Sequence, residues 1–211
     1  MTCAYDELYL PLAQRVMGDM LDFSVNTLRV ALGEFYKMFL VSGMAQQFEI
    51  GNPTYVAGKN GCEVARLVMD ECGWQYPDAE DAMYLDKSQE YWIGWSLAYY
   101  QWQSNRSFRE IEQSVPVESM YAMYPTLHEA DISQYVMIMD EKCEARTEGS
   151  RLRRLRAYAQ LSQSQLAASS GVALRQIQLF EQGQRDISRT SGETLSQLSR
   201  ALHCKIEDLL Y

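Results

Sequence analysis

Histidine is scarce. The 211 residues include two, His128 and His203, and neither stands near another candidate ligand, so a histidine-based metal centre or a nucleophile–histidine–acid triad is not expected. Long apolar runs are missing as well: no 18-residue apolar stretch exists to cross a membrane. The first residues carry Asp6 and Glu7 where a secretory leader would carry positive charge, so no leader is expected. Five cysteines, Cys3, Cys62, Cys72, Cys143 and Cys204, are odd in number, scattered and without a CxxC pair, which suits a reducing cytoplasm. The loop Gly58–Gly61 (GKNG) holds Lys59 but lacks the GxxxxGK[ST] order and follows no strand pattern, which argues against a nucleotide loop. Acid pairs such as Glu80–Asp81 and Glu110 with Glu112 read as surface charge. Catalytic residues, cofactor and metal are therefore all expected to be none, and no repeat or low-complexity segment occurs.

What the chain does have is concentrated in its last quarter. Leu152, Leu155, Ala159, Leu161, Leu166, Ala167, Val172, Ile177 and Phe180 keep helical spacing, but the phase changes at Leu161–Ser162 and again at Gly171–Val172, which predicts three short helices. Ser162 and Gln165 have capping-box spacing, so the second helix should begin at Gln163 and end near Ser170, with Gly171 as its left-handed stop. The third should run from about Leu174 to Gln182 and stop at Gly183. It buries Ile177 and Phe180 and turns Leu174, Arg175, Gln178 and Leu179 outward, a face that suits a major groove.

These residues, LSQSQLAASSGVALRQIQLFEQGQ followed by ETLSQLSRALHCKIEDLL, resemble the lambda-repressor/Cro (Xre-type) helix-turn-helix family over roughly residues 150–211. The resemblance implies a five-helix fold, with a fourth helix near Gly192–Leu202, a fifth near Ile206–Leu210, and double-stranded DNA as the partner of a homodimer. It also implies that Gln163 holds a phosphate, that Leu174 and Arg175 meet base edges with Gln178 and Leu179 one turn on, and that Arg156 pairs with Glu181. Arg185 is grouped with the DNA-facing residues. Three positions depart from the pattern. Ala173 replaces a Ser or Thr cap, a loss of roughly 1 kcal/mol. Leu174 and Leu179 can touch a thymine methyl but cannot make bidentate contacts. His203 stands where a glycine usually ends the fourth helix.

Charge divides the chain. Residues 150–211 hold nine Lys or Arg against five Asp or Glu, a balance of +4, whereas residues 1–149 hold ten against twenty-three, a balance of −13. Arg151, Arg153, Arg154 and Arg156 cluster just before the motif and suit phosphate contact, or form a solvated helix face.

The front 147 residues read as an acidic, aromatic-rich helical domain, and the whole chain as all-α, with the helix-turn-helix domain at 148–211. Expected helices cover Tyr5–Asp22, Asn26–Val41, Cys62–Cys72, Ser88–Ser104, Phe108–Ser114, Val117–Met123 and about His128–Glu144. A loop at residues 51–61 is punctuated by Gly51, Pro53, Gly58 and Gly61. Ala145–Ser150 is either a linker or a helix running into the motif. On the aromatic helix, Trp92, Trp95 and Tyr99 share a face flanked by Tyr91, Trp102 and Tyr84. They are either core or a cage for a flat or cationic ligand. With a core there, Tyr121, Tyr124 and Tyr135 would be partly exposed and favour a protein partner. Asn52, Tyr55, Lys59 and Asn60 lie on a loop that either connects two helices or recognises a partner.

Two functional classes follow. The division resembles antitoxins that carry an Xre-type domain, repress their own operon and neutralise a basic toxin through an acidic surface. The alternative is a repressor whose front domain senses a small ligand. A third reading makes Leu174 and Leu179 a protein-docking surface.

Overall fold

The computed structural model describes residues 3–81 and 86–210, with side chains described outside 145–150. Tyr84, expected on the flank of the aromatic helix, lies outside the described residues. Among the described residues every regular element is a helix and there is no strand, as expected of an all-α chain. Contacts divide the chain into two units, Met1–Met137 and Ile138–Tyr211.

In the first unit, Asp6 caps a short 3-10 turn, Glu7–Tyr9, that leads into α1 (Leu10–Asp22) with Pro11 in its first turn. From Val16 to Asp22 every residue of α1 is buried, so this is the central helix of the unit. A π turn over Phe23–Thr27 then widens the helix, and Arg29 takes a left-handed φ of 59°. The Val30 amide closes the end by donating to the Ser24 carbonyl at 3.0 Å. The expected helix from Asn26 therefore breaks, and α2 spans Leu32–Val41 alone. The reason is local: the closing turn at Arg29 is invisible to an apolar spacing that stays in phase across it.

α3 (Met44–Glu49) follows the expected helix that ends at Val41, and α4 (Pro53–Val56) occupies part of the loop expected at residues 51–61. α5 (Gly61–Glu71) starts at an Asn60–Glu63 capping box. α6 (Gln89–Ser104) is capped by Ser88, and α7 (Phe108–Ser114) by a Ser107–Glu110 box. A 3-10 turn, Val117–Ala122, precedes α8 (Tyr124–Leu127) and α9 (Ile132–Tyr158). α9 thus begins four residues later than expected, where Asp131 accepts from the Ser133 amide at 2.9 Å. Its backbone stays helical through 145–150, and the division between units falls within it.

The crossing of α1 and α6 organises the first unit. A Cβ on Gly94 would collide with the Met17 carbonyl, and one on Gly18 would lie 2.7 Å from the Tyr91 ring. Only glycine allows the two backbones to approach this closely. Around the crossing sit two aromatic groups. Phe39 packs edge-on against Phe48 and Phe108, and Trp92 packs edge-on against Tyr124 and Tyr135, each at 5.6 Å.

The second unit folds α10 (Gln163–Ser170), α11 (Leu174–Glu181), α12 (Gly192–Leu202) and α13 (Ile206–Leu210) with the end of α9. Leu152, Leu166, Val172, Ile177, Phe180, Leu198 and Leu209 form its core.

Candidate nucleic-acid interface

The turn between α10 and α11 is built by local chemistry. The Ser162 hydroxyl accepts from the Gln165 amide at 3.2 Å, and the Gln165 side chain accepts from the Ser162 amide at 2.8 Å. Gly171 ends α10 with φ 77°, and buried Val172 turns the chain inward. Ala173 precedes α11 with extended backbone but has no side-chain cap to offer. Downstream, Ser191 caps α12, and His203 ends it in the left-handed conformation at φ 53°, the role expected of it.

On α11, Ile177 and Phe180 are fully buried, which fixes the opposite side of the helix toward solvent. Leu174 is 38% exposed and Arg175 is exposed, with no partner for its guanidinium among the described residues. Gln178 and Leu179, one turn on, are half-buried. The exposed Arg185 follows the helix, its guanidinium 5.9 Å from the Phe180 ring centre.

Beneath this face lies a three-member clamp. Arg156 donates from Nε to Glu181 Oε1 at 2.6 Å and from Nη2 to Oε2 at 3.0 Å, and its Nη1 donates to the Leu161 carbonyl at 2.7 Å. The Glu181 side chain is 3% exposed and that of Arg156 15%. The hydrogen bond to Glu181 raises the Arg156 pKa against the opposing effect of burial, so the guanidinium is held charged. The expected pair is therefore present and bidentate. The third member was not foreseen: Gln163 Nε2 donates to Glu181 Oε2 at 2.7 Å. An amide carries two N–H donors, so this bond occupies one of the two on Gln163. Sequence order gave no signal for it, because a glutamine opening a helix reads the same with or without a carboxylate eighteen residues on.

The basic cluster splits by role. Arg151 donates from Nη1 to the Leu210 carbonyl at 2.8 Å and so ties α9 to the end of α13. Arg153 and Arg154 are exposed. Arg189, which the sequence reading passed over, bridges Glu141 at 2.8 Å and Asp186 at 3.2 Å.

In the first unit, several candidate partner residues serve the fold. Asn52 caps α4 by accepting from the Thr54 amide at 3.1 Å and donates to Gln47 at 2.7 Å. Asn60 caps α5 and donates to Asp81 at 3.0 Å. Tyr55 and Lys59 are half-buried. Tyr121 is half-buried and donates to Glu90 at 2.8 Å, while Tyr124 stacks on His128 at 4.5 Å. Tyr135 corrects the expectation of exposure: it is 1% exposed, enclosed by Trp92 and Tyr100, with its hydroxyl 3.7 Å from the Met120 sulfur. The aromatic helix divides between the two readings offered for it. Tyr100 and Trp102 are core, whereas Tyr91, Trp92, Trp95 and Tyr99 are half-buried.

A clamped turn–helix pair with an exposed arginine at the start of its second helix defines a helix-turn-helix DNA-binding domain. Residues 151–211 match the family of Cro/C1-type HTH DNA-binding domains. The class of protein defined by that domain is the DNA-binding transcriptional regulator. No match is found among curated proteins or solved structures. Among the described residues no helix is long and apolar enough to cross a membrane.

Proposed function

We propose that this chain is a sequence-specific repressor that lays α11 in the major groove of an operator in its own operon. The observation that carries the reading is the arrangement of α11: Leu174 and Arg175 face solvent while Ile177 and Phe180 anchor the helix from behind. Arg175 then meets guanine O6 and N7, Leu174 a thymine methyl, and Gln178 and Leu179 the next turn of the groove edge. Gln163, Arg153, Arg154 and Arg185 hold phosphates. Two copies bind as a homodimer, with their recognition helices about 34 Å apart on successive turns.

In the same reading the first unit receives a second molecule. A basic toxin, neutralised by an antitoxin that also represses the pair's operon, is favoured by the balance of −13 over residues 1–149. A small-ligand sensor is favoured by the aromatic groove beside α6.

The test separates reading from attraction. Arg153→Ala should weaken binding equally on operator and random duplexes and reduce the salt dependence by roughly one counterion. Arg175→Ala should cost about 1–3 kcal/mol on the operator and little on random DNA. Both are titrated at several salt concentrations against the upstream sequence of the operon. An unchanged operator-to-random ratio for Arg175→Ala would remove base reading by α11 and turn Leu174 and Leu179 into evidence for a protein partner.

A further inference from the structure

The first unit carries an open groove at the start of α6. Lys87, Tyr91, Trp92, Trp95, Tyr124 and His128 line an open cavity of about 270 Å³. Its walls are held in place from behind. Gly18 passes directly under the Tyr91 ring, Gly94 seats α6 on the backbone of α1, and Trp92 packs edge-on against Tyr124, which stacks on His128. The His128 ring is also fixed by Nδ1, which lies 2.8 Å from the Tyr124 carbonyl and must donate to it. Five rings thus border a space that suits one flat molecule.

One pole of the groove is charged and fixed. Lys87 Nζ donates to Asp19 Oδ1 at 3.0 Å and lies 4.1 Å from the centre of the Tyr91 ring. Asp19 is 5% exposed, so the ammonium is tethered by a buried carboxylate. Neighbouring Ser88 donates to buried Asp22 at 2.5 Å, and Asn26 joins Asp22 to Glu90. An ammonium has three donors; one meets Asp19, and the Lys87 side chain remains 40% exposed. Burial raises the Tyr91 pKa, with Asp19 adding to the rise and the positive charges of Lys87 and Arg15 opposing it.

We propose that this groove binds a planar aromatic molecule bearing a single carboxylate, with its rings against Trp92 and Trp95 and its carboxylate on Lys87. The charges select the class. A ligand cation would meet Lys87, and the Tyr91 face that would attract it is already covered by the Lys87 ammonium. A dianion would feel Asp19 and the exposed Glu129 beside His128. A monoanion needs one free donor, which Lys87 has.

The test uses the full chain without DNA, so its outcome is independent of the operator reading. Calorimetry compares 2-naphthoate with 2-naphthylmethylammonium, which has the same rings and the opposite charge, and with cyclohexanecarboxylate, which has the same charge and no π face. Naphthoate should bind once per chain, with the other two at least about tenfold weaker. Trp95→Leu should weaken naphthoate by roughly tenfold or more, in line with the loss of a stacking partner. Lys87→Met alone would strand Asp19, so the neutral pair Asp19→Asn with Lys87→Met is used. It should abolish the preference for the carboxylate over the ammonium. If Trp95→Leu fails to fold, His128→Ala on the groove's other wall serves in its place. Equal affinity for naphthoate and its ammonium counterpart, no naphthoate binding at millimolar concentration, or binding indifferent to the ring substitution would each overturn the proposal.

Discussion

The clamp beneath the recognition helix makes the sharpest energetic prediction. Its two charges are unequally buried, 3% exposed for the Glu181 side chain against 15% for Arg156, so removing either one strands a different partner. Arg156→Met leaves a carboxylate with Gln163 as its remaining donor and should destabilise the second unit by on the order of 3 kcal/mol. Glu181→Ala strands the more accessible guanidinium, which keeps its bond to the Leu161 carbonyl, and should cost less. The double variant Arg156→Met with Glu181→Ala strands neither charge and should recover about 2 kcal/mol of the summed losses. The assay must report on the second unit alone. Trp74, Trp92, Trp95 and Trp102 all fall in residues 1–137, so the second unit carries no tryptophan to report on it by emission. Hydrogen exchange of the α10–α12 amides is the suitable measurement, and 3 kcal/mol corresponds to roughly a hundredfold loss of protection. Losses that add within about 0.5 kcal/mol in the double variant would refute the argument, as would a larger cost for Glu181→Ala than for Arg156→Met.

Three further predictions concern packing, titration and capping. Gly94→Ala drives a methyl into the Met17 backbone and should cost about 1–3 kcal/mol, whereas Gly18→Ala meets the Tyr91 side chain rather than backbone and should cost less. Urea midpoints followed by tryptophan emission test this order, and the reverse order defeats it. Burial pushes the Glu90 carboxyl up, but hydrogen bonds from Asn26 and Tyr121 are among those that hold it below its ordinary 4.5. Its ionised form therefore stabilises the first unit at neutral pH, and that contribution fades as pH falls below 4.5 through the lowered value. The stability difference between wild type and Glu90→Gln should be constant from neutrality to about pH 5 and shrink below 4.5; a flat difference down to acid unfolding counts against it. Ala173 already has the extended backbone of a cap, φ −56° and ψ 134°, so Ala173→Ser should stabilise α11 by about 1 kcal/mol, read as slower exchange of its first amides. No change there would mean that the serine hydroxyl does not reach them.

The features legible in the sequence are those whose cause lies within a few residues. Ser162 with Gln165, Gly171, Ser88, and the stretch from Phe108 to Ser114 each carry their own start or stop, and their helices fall where local chemistry puts them. The family pattern added the pair Arg156–Glu181, which spacing alone would not have joined. What escaped the reading depends on residues far apart in the chain. The break at Arg29 leaves Leu28, Leu32, Phe35 and Phe39 in helical phase on either side. The crossing at Gly18 and Gly94 needs both helices to be known before either glycine has a meaning. Tyr135 looks like a surface tyrosine until Trp92 and Tyr100 are set around it.

The same distinction bears on the functional reading through charge. The balance of −13 over residues 1–149 treats every uncompensated carboxylate as facing a partner, but Asp22 is inside the first unit, bonded to the neutral groups Ser88 and Asn26. Glu49 is likewise spent on the Phe108 amide that opens α7, whereas the pairs Asp19–Lys87 and Asp81–Arg66 already cancel within that balance. Such groups contribute to the fold more than to a field felt from outside, since a neutralised or enclosed charge steers an approaching molecule far less than a free one. The electrostatic case for a basic protein partner must therefore rest on the acids that remain exposed and unpaired. The groove beside α6, by contrast, owes its character to the buried ones, because it is Asp19 that fixes Lys87 at its mouth.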